Sequence, residues 1–139
     1  PSMLQRPDKR TYLVVIDSQR EGDGARDALL LKNQPFNAQV GILGHELAHT
    51  VYYLYRSFFG ITGDALCQFS KCRVEFERNT DKLLVARGLG WQRYDHAQFL
   101  RQAFAEEGAD LSATEDGGGA YMSPEELLQE MQRYSFYSN

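Results

Sequence analysis

Residues 41–56, GILGHELAHTVYYLYR, read as the inside of a protein, yet two of the chain's three histidines sit there, four apart, around Glu46. Buried imidazoles and a buried carboxylate are costly without partners, so a fold that accepts this segment must bring it something to bind. On a helix, with successive residues about 100° apart, Val40, Leu43, Leu47, Val51, Leu54 and Phe58 form one stripe, the expected core face. His45 and His49 point nearly the other way, beside Ala38, Ile42 and Tyr52. That second face is also apolar or aromatic. The helix is therefore expected to be buried on both sides and central to the domain.

Histidines at i and i+4 lie one helical turn apart on neighbouring faces. Both imidazoles can then reach one ion at the Zn–N distance of roughly 2.0–2.1 Å. Glu46 projects to the side, close enough to hold a metal-activated water but poorly placed to ligate. This is the H-E-x-x-H pattern, in which the Glu serves as general base of zinc peptidases. A lone core histidine is more often a hydrogen-bonded packing residue. Two of them in this order around a Glu, in a chain with one other histidine, favour a metal site.

The rest of the chain sets the frame. At 139 residues it is expected to be a single compact domain with one core. Composition is ordinary for a globular protein, 42% apolar and 24% charged. A formal charge of −4 with scattered Lys and Arg argues against nucleic acid and against an anionic membrane surface. No uncharged apolar run reaches the length of a transmembrane span, and PSMLQRPDKR lacks the apolar core of a signal peptide. Oligomeric state and compartment stay open, as does the pairing of Cys67 with Cys72.

Along the chain, RTYLVVID (10–17) is rich in β-branched and aromatic residues and predicts a strand. A polar Gly-containing loop follows, then ALLLKN (28–33) as a possible second strand. The acids Asp17, Glu21, Asp23 and Asp27 fail calcium-loop spacing and read as solvated. A helix opens with Pro35 near its first turn and Asn37 as a cap, and runs to about Phe59, ending at Gly60. A second helix is expected from about Leu66 to Arg87, stopped by GLGW. A third follows in DHAQFLRQAFAEEGA, closing at Gly108. The last begins at SPEELLQEM, with Ser, Pro and Glu spaced as a capping box. The expected class is α+β: a short N-terminal sheet or hairpin packed on a central active-site helix and a second, glutamate-bearing helix, with two further C-terminal helices over about 92–139.

A catalytic zinc needs a third protein ligand and an open position. The metzincin pattern would place Gly and His at positions 52 and 55, where this chain has Tyr52 and Tyr55. His96 is available in principle, but its neighbours put it at the start of a polar-faced helix. Glu77 is the better candidate. It shares its half of the second helix with Val74, Phe76, Thr80, Asp81 and Leu84, whereas Glu75 falls with Cys72, Asn79 and Lys82 on the solvent side. Asp81, one turn on, is placed to accept the other ring N–H of a liganding histidine and so fix its tautomer.

His45-Glu46-Leu47-Ala48-His49, with Glu77-x-x-x-Asp81 about 28 residues later, resembles the gluzincin zinc metallopeptidases, and in size their minimal forms. The resemblance covers about residues 10–88. It implies Zn²⁺ held by His45, His49 and Glu77, Glu46 as general base, and Asp81 supporting a ligand. It also implies that TYLVVID is an edge strand along which a peptide or protein substrate lies extended. The expected activity is peptide-bond hydrolysis through a metal-activated water. An additional donor for the oxyanion is expected from Tyr52, Tyr94, His96 or Tyr121, among which the sequence does not choose. The competing reading is a latent or non-catalytic module stabilised by the same zinc site.

Overall fold

The computed structural model describes residues 4–18, 27, 29–67, 71–106 and 119–138, without the side chains of 62, 64–67 and 71. Helices α1 (Phe36–Leu54), α2 (Phe58–Cys67), α3 (Lys71–Ala86), α4 (Gly90–Glu106) and α5 (Pro124–Met131) carry the architecture, with short 3-10 turns at Pro7–Lys9, Leu31–Asn33 and Ser135–Tyr137. The expected loop at Glu21 and Asp23 and the helix end at Gly108 lie outside the described residues.

The expected sheet is absent: among the described residues there is no strand, and the class is helical, not α+β. Residues 10–17 do run extended, as their β-branched composition favours. A strand, however, is made by its partner. Among the described residues no backbone hydrogen bond engages Leu13–Asp17, and Leu13 and Val15 stand open to solvent. The second candidate strand is instead the turn at Leu31–Asn33. Arg10 anchors the extended segment by donating to the carbonyls of Arg56 (2.8 Å) and Tyr53 (3.4 Å). These lie at the end of α1, where helical partners run out.

Helix α1 turns the opposite face inward from the one its large residues suggest. Its buried residues are Ala38, Gly41, His45 and Ala48, while Leu47 is 56% and Leu54 42% exposed. The reason is close approach. A Cβ on Gly41 would lie 2.2 Å from the carbonyl oxygen of Gln92 in α4, so the two backbones meet where only glycine fits. At Gly44 the side chains of Leu84 and Leu89 fill the space a Cβ would take. Small residues, not the leucine stripe, fix how α1 seats on α4.

The helix ends follow local and distant signals. Pro35 is the N-cap of α1 without a side-chain bond, and Asn37, expected as a cap, instead donates to Asp95 Oδ2 on α4 at 2.9 Å. The helix stops at Leu54 rather than Phe59, and Ser57 Oγ accepts from Gly60 N at 3.2 Å to start α2. Cys72, on α3, is disulfide-bonded.

After α3 the N–H of Leu89 reaches Leu84 O at 3.2 Å and that of Gly88 reaches Val85 O at 3.0 Å, with Gly88 at φ 87°. This is a Schellman ending. Helix α4 starts at Gly90, earlier than expected, because its first N–H is met by Tyr137 Oη at 2.7 Å, which donates onward to Val85 O at 2.8 Å. Helix α5 has the capping box expected of Ser123 and Glu126. Val85, Ala97, Met122, Leu127 and Met131 form the core where α3, α4 and α5 meet.

Candidate metal centre

Three ligand-type side chains from α1 and α3 come together. His45, His49 and Glu77 each offer one donor atom, all within 4.8 Å of one another. Glu77 Oε2 is 3.0 Å from His45 Nε2 and 3.2 Å from His49 Nε2. Donors bound tetrahedrally to one ion at about 2.0–2.1 Å sit about 3.3 Å apart, so these two spacings would suit ligands around a shared centre, and the shorter is also that of a hydrogen bond. Helical periodicity put Glu77 inward and Glu75 outward, and Glu77 is buried while Glu75 is exposed.

The other ring nitrogens explain why the three donors converge. His45 Nδ1 lies 2.8 Å from Asp81 Oδ1, and a carboxylate there requires that nitrogen to carry the proton. His49 Nδ1 lies 3.3 Å from Thr80 Oγ1, whose own hydroxyl donates to Phe76 O at 3.0 Å. Thr80 therefore accepts from His49. Both imidazoles thus turn Nε2 to the Glu77 carboxylate, as a hydrogen-bond donor when that nitrogen is protonated and as a ligand-type lone pair when it is not. Two lone pairs and an anion in a buried place repel unless a cation, proton or metal, sits among them.

The charges around this point are arranged accordingly. Asp81, fully buried, accepts from Arg93 Nε at 2.6 Å and from the backbone N–H of Met122 at 2.9 Å. Burial alone would raise its carboxyl, but the Arg93 charge and the His45 bond outweigh that and hold it down to about 2. Glu77 is likewise raised by burial and lowered more by His45 and His49, to about 2. For His45, burial lowers the pKa, while the bonds to Asp81 and Glu77 overcome it and leave it raised.

A cavity of about 340 Å³ opens beside the centre, lined by Glu46, His49, Glu77, Tyr121, Phe76 and the extended residues Tyr12 to Val14. Glu46, between the two histidines in sequence, is half-buried on its wall. Of the four residues expected to compete as oxyanion donors, Tyr121 alone lines this cavity. Its ring meets that of His45 edge-on at 5.4 Å. Burial, then the charge of Glu77, raises its pKa, so its hydroxyl stays a donor. Tyr94 packs against the core and accepts from Gln98 at 2.8 Å. Tyr52 Oη accepts from Arg56 Nε at 2.8 Å. His96 stays outside the ligand cluster, buried rather than on a polar face, with Nδ1 accepting from Arg93 Nη1 at 2.6 Å.

Arg93 is the residue that sequence reasoning missed. It is 2% exposed, joins Asp81 to His96, and sets its guanidinium 5.3 Å from the Tyr121 ring. Its signal was present in α4: an arginine in one stripe with Gly90 and Ala97, where a long charged side chain implies a buried partner.

No family model, no curated protein and no solved structure matches this chain.

Proposed function

We propose that the chain is a zinc-dependent peptidase that hydrolyses peptide bonds with Glu46 as general base, the metal being held by His45, His49 and Glu77. The observation that carries this reading is the convergence of two imidazole nitrogens and one carboxylate oxygen within 4.8 Å of one another, beside a cleft that Glu46 shares. Two nitrogens and one oxygen suit Zn²⁺, and three protein ligands leave a position for chemistry. The resemblance to gluzincins supports the assignment through its ligand pattern, although among the described residues there is no N-terminal sheet of the kind it implied.

A bound Zn²⁺ supplies Lewis acidity to the scissile carbonyl and acidifies water in the cleft. Glu46 then takes the proton of the attacking water and delivers it to the leaving amine. The Tyr121 hydroxyl donates to the developing oxyanion. Asp81 keeps the proton of His45 on Nδ1, and Thr80 does the same for His49, so both Nε2 atoms stay available. The peptide lies extended beside Tyr12–Val14, whose backbone can pair with it without any sheet behind it.

Metal analysis of the purified chain, joined to a peptide-library digest by wild type and Glu46→Gln, tests the reading. The expected outcome is stoichiometric zinc in both and cleavage by wild type alone. Full cleavage by Glu46→Gln removes the base from the mechanism. Stoichiometric zinc without cleavage by either chain leaves the metal-stabilised module.

A further inference from the structure

A second cavity, of about 280 Å³, adjoins the metal cleft and shares Glu46 and Val14 with it. Leu30, Ile42 and Leu43 supply apolar wall; Asp17, Gln34 and Glu46 supply its polar groups. Among the described lining residues there is no cation. Gln34 is 8% exposed, and its amide orientation is fixed because Nε2 donates to Leu29 O at 2.8 Å. Its Oε1 is then left buried without a hydrogen-bond partner. Asp17 is exposed and has no ion-pair partner among the described residues.

Apolar walls ending in acceptors describe a guest with an aliphatic stem and a donor-rich cationic head. An aliphatic guest fills the walls and leaves Gln34 Oε1 unmet. A tyrosine has one O–H to give, so it can donate to Gln34 or to Asp17 but not to both, and brings no charge to Asp17. An acidic guest meets two like charges, Asp17 and Glu46. Building on the peptidase reading, we infer that the substrates carry lysine or arginine next to the scissile bond, with that side chain seated in this cavity against Asp17 and Gln34.

End-blocked hexapeptides with Lys, Arg, norleucine or Glu at either residue flanking the scissile bond test this on the zinc-loaded chain. At one of the two positions Lys and Arg should exceed norleucine about tenfold in kcat/KM, with Glu lowest. Asp17→Asn should bring that ratio to within about threefold, and Gln34→Leu should shift preference towards norleucine. Norleucine equal to Lys in wild type, or a ratio untouched by Asp17→Asn, overturns the inference. If no peptide is cut, the hydrolase reading fails separately, and the same peptides are titrated onto the zinc-loaded chain. Tighter binding of Lys than norleucine, lost in Asp17→Asn, then upholds the subsite; equal binding, or none, overturns it.

Discussion

Arg93 donates through Nε to Asp81 Oδ1 at 2.6 Å, in a place where neither side chain reaches solvent. The same oxygen lies 2.8 Å from His45 Nδ1, so the arginine and the imidazole share one acceptor. Asp81 therefore cannot give its full charge to His45. Arg93 limits how strongly the aspartate pulls the ring proton and fixes where the carboxylate points.

Arg93→Met should leave Asp81 as a buried anion whose remaining partners are His45 and Met122 N–H, and should lower folding stability by about 3–5 kcal/mol. Arg93→Lys keeps the charge but loses the planar fork that reaches Asp81 and His96 together, so it should recover only part of that loss. Chemical denaturation of the zinc-loaded variants measures both. Equal stability of Arg93→Met and wild type would show that the pair is not needed to hold Asp81.

Metal binding should grow weaker as pH falls through the imidazole range. Glu77 and Asp81 are held at about 2, so both carboxylates stay ionised and do not compete. His45 is the group that does, because its raised pKa means a proton occupies the site in the metal-free chain at pH values where a free imidazole is already neutral. The sign for stability is opposite. In the metal-free chain the His45 contribution is fully present below the ordinary histidine value of 6.5 and is lost as pH rises through the raised one. Calorimetric zinc titrations in buffers of different ionisation enthalpy should show proton release near neutrality, and none once pH exceeds the raised value.

Tyr121→Phe should lower kcat by about two orders of magnitude with little change in KM or zinc content, because the hydroxyl is assigned to the oxyanion rather than to ground-state binding. Steady-state kinetics on a cleaved peptide, with zinc determined on the same samples, makes the comparison. An unchanged kcat removes Tyr121 from the chemistry.

What could be read from the sequence is what depends on spacing within a helix. His45, Glu46 and His49 on one turn, and Glu77 with Asp81 on one face of α3, need only the helical period; His45, His49 and Glu77 lie within 4.8 Å of one another with Asp81 against His45, and Glu46 lines the adjoining cleft. The sheet could not be read in that way, because residues 10–17 announce an extended backbone but not a partner. The start of α4 escaped for a similar reason: its cap is Tyr137, at the far end of the chain. The seating of α1 was misread because hydrophobic weight favoured Leu47 and Leu54, whereas contact distance favoured Gly41 and Ala48. Arg93 escapes because an arginine on a helix is ordinarily solvated, and its place in one stripe with Gly90 and Ala97 is a weaker signal than that expectation.

The seating of α1 yields the last expectation. Gly41→Ala adds one methyl group where the Gln92 carbonyl oxygen would be 2.2 Å away and its carbon 2.6 Å, both backbone atoms that no rotamer change can move. Helix propensity alone favours alanine by about 1 kcal/mol, so a neutral site would gain stability. Overpacking of this kind costs about 1–3 kcal/mol, and here it meets two helices that cannot yield separately, so the cost should exceed the gain. Because His45 sits one turn along the same face, separation of α1 from α4 also shifts the imidazole relative to Asp81 on α3. Gly41→Ala should therefore lower the denaturation midpoint and weaken zinc binding together, whereas Gly63→Ala, with nothing among the described residues within 4 Å of the added carbon, should do neither. Denaturation and chelator competition on the two variants provide the contrast. A Gly41→Ala chain as stable and as tightly metal-bound as wild type would mean that the backbones of α1 and α4 do not meet at Gln92.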